Sequence, residues 1–238
     1  MPSYNRKQLM ISLAAVSKTY NGTRQVIALD RVDLEIERGE MVSIVGPSGS
    51  GKSTMLNLIG GLDRPTSGEI RIDGESISGL SDDRLTRLRR EKIGFIFQFF
   101  NLLPTLSAWE NVAVPKLLDG VRLGKAKGDA IRLLDRVGLG DRTQHRPAEL
   151  SGGQMQRVAV ARALMMDPPL ILADEPTGNL DSTTGAAILA LLAEVAHEDG
   201  RGRLVVMVTH NSDAAAATDR VITLQDGLVS SDVAAVPG

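Results

Sequence analysis

The chain has 238 residues with 27 Lys and Arg against 29 Asp and Glu, and no cysteine. Such a length buries a core readily but is short for two domains, and the near-balanced charge excludes the global basic field that argues for a nucleic-acid partner. Without cysteine there is neither a disulfide framework nor a thiolate metal site. No run reaches the roughly 18 to 20 apolar residues of a membrane span, and "MPSYNRKQLMISLAAV" has no apolar stretch ending in a cleavage site, so the expectation is a soluble chain that stays in the cytoplasm.

In chain order, "LAAVSKTYNGTRQVIALDRVDLEIERGE" alternates polar and apolar residues around the turn signal Asn21-Gly22, and "SGEIRIDGESI" does so before Asp73-Gly74. These segments predict a half-exposed antiparallel layer. The apolar runs "EMVSIVG" (40–46), "KIGFIFQ" (92–98), "PLILADEP" (169–176) and "RLVVMVTH" (203–210) read as strands buried on both faces of a parallel sheet. "RLTRLRREK" (84–92) is basic, but Asp82, Asp83 and Glu91 dilute it to a solvated helix face. Between 99 and 150 strands vanish, Pro104 and Pro115 punctuate, and Ile131, Leu134 and Val137 to Leu139 have helical spacing, which predicts an inserted helical subdomain. One α/β domain is expected over 1–238, with its core at about 9–98 and 155–230 and the helical subdomain at about 99–154. The Ser, Asp, Ala and Pro residues of 231–238 predict a flexible, frayed tail.

"GPSGSGKST" (46–54) follows an apolar strand and opens "STMLNLIGG", which reads as a helix ending at Gly60-Gly61. This is the context the phosphate-binding G-x-x-x-x-G-K-[ST] pattern requires. Glycines let backbone N–H groups converge on phosphates, and the helix dipole adds positive potential. Gly46, Ser48, Gly49, Ser50, Gly51 and Thr54 form the cradle, Lys52 reaches the β- and γ-phosphates, and the Ser53 hydroxyl ligates Mg²⁺. "LILADEP" then brings Asp174 and Glu175 to the carboxyl end of a strand, where ligands bind in open α/β sheets. Adjacent strand residues point opposite ways. If extension lapses there, Asp174 faces the metal and Glu175 the attacking water, which makes Glu175 the expected general base.

"ELSGGQMQRVAV" (149–160) also has glycines at a helix start, but no lysine. Ser151 and Gln154 make a capping box for a helix from about Gln154 to Met166, terminated by "DPP". A cap alone does not explain two glycines, which weaken a helix start unless something approaches the backbone closely.

"LSGGQ" twenty residues before "ADEP", with the cradle upstream, resembles the signature motif of ABC-type ATPases, and the resemblance covers nearly the whole chain. It implies a P-loop NTPase parallel-sheet core with an antiparallel β layer and an inserted helical subdomain. It implies further that Ser151, Gly152, Gly153 and Gln154 bind the γ-phosphate of ATP held by a second copy, the two chains pairing head to tail. By the same resemblance Tyr20 stacks on adenine, although an ordinary strand tyrosine fits "SKTYNG" as well. Gln98 senses Mg²⁺ and the attacking water, Asp181 in "GNLD" runs along the dimer interface, and His210 contacts the γ-phosphate. Asn211 stands where the family usually has Asp, and Met155 where it often has Gln. Neither replacement removes a phosphate or metal contact.

The resemblance also implies a groove between core and insertion that receives a short helix of a membrane permease, near Phe99, Phe100, Leu102, Leu103 and Trp109, although some of these also pack the insertion's own core. "FIFQFFNLLPTLSAWENV" and "LADEPTGNLD" look most like the branch of lipoprotein-releasing, macrolide-exporting and cell-division-associated ATPases. That branch implies ATP-driven closure of a dimer at the inner face of the plasma membrane that moves a long extracytoplasmic assembly. The permease is expected to be a separate polypeptide unless the chain is part of a fused protein. A regulatory module governing cell-wall or division activity would carry the same catalytic set. The DNA-repair and translation ATPases of the family differ by a long coiled coil or a second ATPase domain, neither of which the sequence has.

Overall fold

The structure, a computed structural model, describes residues 9–22, 25–198 and 202–235. Two sheets form. In the first, β1 (Leu9–Asn21) pairs antiparallel with β2 (Gln25–Glu37) and with β4 (Ser67–Ile72), which continues into β5 (Glu75–Ser76) through Asp73-Gly74. Asp73 and Gly74 have φ of 53° and 78°, as a tight hairpin turn needs. The Asn21-Gly22 turn is flanked by the expected strands, and its residues 23 and 24 lie outside the described ones.

The second sheet contains β3 (Met41–Val45), β6 (Ile93–Phe97), β7 (Leu170–Asp174), β8 (Leu204–Val208), β9 (Arg220–Gln225) and β10 (Leu228–Ala234), in the order β10-β9-β3-β8-β7-β6. All neighbours run parallel except β10 with β9. The four buried apolar runs of the sequence are β3, β6, β7 and β8, and they bury both faces by the period of two. Leu170 and Leu172 pack with Val206 and the antiparallel layer, whereas Ile171 and Ala173 pack with Val205, Met207 and the helices opposite.

The expected frayed tail is corrected for its first residues. Asp226-Gly227 turns the chain at φ 49° and 79°, and residues 231–234 continue β10. Arg220 clamps this edge strand, its Nε and a terminal nitrogen each 2.6 Å from Asp232. Residues 236–238 lie outside the described ones.

Helix α1 (Lys52–Ile59) leaves the β3 loop and ends at Gly60. Helix α2 (Asp82–Lys92) buries Leu85 and Leu88 and pairs its surface charges, Arg87 with Glu91 and Lys92 with Asp73. Between β6 and β7 lie α3 (Ala108–Leu118), α4 (Leu123–Arg136) and α5 (Gly152–Ala163). Pro115 does not break the run: it stands inside α3, one turn from its end, which Ser107 and Glu110 start with a capping box. In α4, Ala126, Ala130 and Leu134 recur every four residues on the buried face. Helix α5 stops earlier than expected, at Ala163, where Met165 bonds back to Arg162 and Asp167 turns left-handed at φ 51°. Helices α6 (Ser182–Ala196) and α7 (Ser212–Ala216) complete the chain.

Candidate active site

The carboxyl ends of β3, β8, β7 and β6 lie side by side, so the segments that follow them converge. The loop after β3 is Gly46 to Gly51. At Gly46, φ is 145° and an added Cβ would sit 2.1 Å from the Leu224 carbonyl oxygen; at Gly51, φ is 103° and it would sit 2.3 Å from that of Ala28. No other residue fits either position. Lys52 Nζ donates to the carbonyls of Gly46 and Pro47 at 2.9 and 2.8 Å, which curls the loop around its ammonium. The buried Ser50 hydroxyl has no partner among the described residues.

A cavity of about 380 Å³ opens on this loop, lined by Ser48, Gly49, Gly51, Lys52, Ser53 and Thr54, with Glu175 and His210 facing them. Glu175 has φ 47°, a left-handed backbone that costs a non-glycine residue on the order of 1–3 kcal/mol. Extension does lapse there, and the turn aims its side chain across the sheet end. One carboxylate oxygen lies 2.7 Å from His210 Nδ1, and the other accepts from the Thr209 hydroxyl at 3.3 Å. Thr209 is fully buried and its Oγ1 also accepts from Asn211 N–H, so it ties Glu175 to the strand end that carries His210.

Asp174 stands beside Phe97 in register, and Gln98 is the first residue after β6. Burial pushes the Asp174 carboxyl above the usual range, the neighbouring Glu175 charge adds to this, and Lys52 opposes it. Because the folded-state pKa is raised, ionised Asp174 destabilises the nucleotide-free fold at neutral pH. Asp174→Asn should therefore raise the melting temperature at pH 7, the gain vanishing as pH falls below about 4. Thermal melts across pH 4–8 check this.

Gln98 is held from the loop after β7: Asn179 Nδ2 donates to its carbonyl at 2.9 Å, and the two side-chain amides lie 3.5 Å apart. One carboxylate, a hydroxyl and an amide suit Mg²⁺, which is held by few protein ligands together with phosphates rather than by an all-protein cage. Among the described residues there is no cluster of three His, Cys, Asp or Glu.

Ser151 to Gln154 do not line this cavity. Ser151 Oγ accepts from Gln154 N–H at 3.3 Å, and Gln154 Oε1 accepts from Ser151 N–H at 2.9 Å, a reciprocal cap for α5. Gly153 has a reason within the chain: an added Cβ would lie 2.3 Å from Thr184 Cγ2. Asp181 fixes Thr184 there, accepting from its N–H at 2.9 Å and from its hydroxyl at 2.6 Å, and caps α6 in doing so. The Thr184 bonds hold the Asp181 carboxyl below the usual range. A Cβ at Gly152 would meet Leu180, Phe100 and the Asn179 carbonyl, all at ordinary contact distance.

Tyr20 is 41% exposed and also stands outside the cavity, but its cross-strand partner Val26 lines it. Its hydroxyl donates to Asp63, and Lys18 Nζ lies 4.8 Å from the ring centre. Asn211 caps α7, accepting from Asp213 and Ala214 N–H.

The sequence reading overlooked Thr209, Asn179, Gln156 and Arg162. Gln156 is fully buried in α5, and its amide donates to the carbonyl of Pro176, the residue after Glu175, at 2.6 Å. A glutamine on the buried face of a helix is the only local signal it gives.

A second cavity, about 610 Å³, separates core from insertion and is lined by Leu62, Phe95, Phe97, Val114, Leu118 and Arg162, among others. The expected docking run is not part of this lining. Trp109 is 8% exposed and packs inside the insertion with Lys127 over its ring. Leu102 is partly buried on the same core, whereas Phe99 is 72% and Leu103 46% exposed.

A glycine-rich loop and helix start after β3, facing a carboxylate at the end of β7 in the same sheet, define a P-loop nucleoside triphosphatase. Residues 29–178 match the ABC transporter family. The chain is 51% identical over 94% of its length to the pyoverdine export ATP-binding/permease protein PvdT of Pseudomonas savastanoi pv. phaseolicola, and 50% identical over the same share to the macrolide export ATP-binding/permease protein MacB of Hyphomonas neptunium. It spans about a third (34%) of the length of each. The ABC transporter ATP-binding protein MJ0796 of Methanocaldococcus jannaschii is 51% identical over 94% of this chain and 96% of its own. A dimeric, post-hydrolysis structure of that cassette bound to ADP and Pi superposes with a TM-score of 0.86, at 48% identity, covering 95% of this chain and 99% of that one. The chain belongs to the ABC transporter family and is an ATP-binding ABC ATPase, similar to the macrolide-exporter branch that its sequence resembles. No helix among the described residues is long and apolar enough to cross a membrane.

Proposed function

We propose that this chain drives an exporter by closing head to tail on ATP with a second copy, each ATP lying between Lys52 of one chain and Ser151 to Gly153 of the other. The observation that carries this reading is the separation of the two half-sites. The cradle with its base opens on one cavity, and the capped glycine turn of α5 stands outside it with no phosphate-binding lysine of its own. Helix α5 would direct the positive end of its dipole at the partner's γ-phosphate. The dimeric state of the similar cassette supports the pairing.

In hydrolysis, water attacks the γ-phosphorus, the bond to the β-phosphate bridging oxygen breaks, and Glu175 accepts the water proton. His210 lies 2.7 Å from Glu175 and lines the same cavity, which supports a contact with the γ-phosphate. Mg²⁺, when bound, neutralises phosphate charge, and Ser53, Asp174 and Gln98 would hold it.

The mechanical load is a membrane permease on the cytoplasmic face of the plasma membrane. Its docking helix would enter the second cavity, whose rim carries Leu62 and Leu118, both large apolar residues half or more exposed. Phe99 and Leu103 would extend the contact. The relatives' names support export, and we assign lipids, lipoproteins or drugs moved by mechanotransmission as the work done. Pull-down of the chain from detergent-solubilised native membranes in ATP, with mass spectrometry, tests this. A partner with few spans and a large extracytoplasmic domain agrees with the proposal, and one with many spans and little outside contradicts mechanotransmission.

A further inference from the structure

We infer that Arg162, at the end of α5, is a positioning residue for Gln98, holding the loop that presents Gln98 to the ATP site. The inference rests on the proposed role of Gln98 in hydrolysis.

After Gln98 the chain makes a turn that few residues adopt: Phe100 and Asn101 are both left-handed, at φ 60° and 49°. Two successive non-glycine residues in this region do not hold themselves there. Inside the loop Phe100 N–H donates to the Phe97 carbonyl at 3.2 Å and Asn101 N–H turns back on the Phe99 carbonyl. Arg162 supplies what is missing. One terminal nitrogen donates to the Asn101 carbonyl at 2.5 Å and the other to the Phe100 carbonyl at 2.8 Å. The planar guanidinium matches two adjacent acceptors, which a point-charge ammonium does not.

Burial pushes the Arg162 guanidinium below its ordinary range, and no carboxylate counteracts that among the described residues. A partly buried, permanently charged group is expensive unless its donors are used, and the donors that bond here go to the Gln98 loop. The other end of that loop is fixed by Asn179 on Gln98 itself. Gln98 therefore hangs between two clamps, one from the segment that follows Glu175 and one from α5.

The test is a double-mutant cycle on ATP turnover by the full chain. Arg162→Ala should lower kcat by about 10- to 100-fold, as loss of alignment does, with KM for ATP within about twofold. The Arg162→Ala/Gln98→Ala double variant should turn over no more slowly than Gln98→Ala alone. Arg162→Lys, which reaches one carbonyl, should recover part of the loss, and it replaces Ala in the cycle if the Ala variant does not fold. Hydrogen exchange should quicken in 98–102 while the first two turns of α5 stay protected. Losses that multiply in the double variant, or exchange quickened along the whole of α5, would mean a structural role and overturn the inference. Full turnover by Gln98→Ala would instead remove Gln98 from the chemistry, and the inference with it.

Discussion

Glu175→Gln binds ATP with near-normal affinity and releases phosphate at least about 100-fold more slowly than the native chain. The reason is local. Glu175 is the carboxylate that the cavity brings opposite Lys52 and Ser53, and its position is enforced by a left-handed backbone, by Thr209 and by His210. Gln has the same length and still accepts from Thr209, so the turn and the cavity survive. What it lacks is a basic oxygen to take the proton of the attacking water. Steady-state phosphate release beside equilibrium ATP binding separates the two effects. Turnover within threefold of native would remove Glu175 as the base.

Lys52→Ala fails one step earlier, at binding. Its ammonium is held at the centre of the loop by the Gly46 and Pro47 carbonyls, in reach of the helix start where phosphates lie. A hydrogen bond to a charged group contributes about 1.5–3 kcal/mol, so the Kd for ATP should rise about 10- to 150-fold. Titration calorimetry with ATP checks this. An unchanged Kd would mean that Lys52 does not touch the nucleotide.

How much of this was legible in the sequence depends on where each partner lies in the chain. Strands β3, β6, β7 and β8 could be read because burial on both faces demands continuous apolar runs. The strand β10 was missed for the converse reason: an edge strand is paired on one side only, and Ser230, Ser231 and Asp232 are exposed. Its own turn signal, Asp226-Gly227, was nevertheless present in "QDGLV". The phosphate cradle was legible because its chemistry is local, nine residues from strand to helix. Glu175 was legible too, as a carboxylate just beyond a buried strand, although the left-handed turn that aims it was only a condition of the reading.

Clamps set by distant approach were not legible. Asn179 meets Gln98 across 81 residues, Arg162 meets Phe100 and Asn101 across about 60, and Gln156 meets Pro176 across 20. Each looks in the sequence like an unremarked polar residue. Trp109 could be read either as docking surface or as core of the insertion, and it is buried there with Lys127 of α4 over its ring. Gly153 lies between these cases. The glycine pattern was read as a place where something comes close, and within the chain that something is Thr184, with Asp181 behind it.

The central claim is that one ATP site needs two chains, and sedimentation velocity of Glu175→Gln in saturating ATP tests it most directly. The account predicts a particle of twice the 25.4 kDa chain mass, lost when Ser151→Arg is added to block the α5 turn although each chain still binds ATP. A species that remains monomeric with ATP bound, or a dimer indifferent to Ser151→Arg, would contradict it.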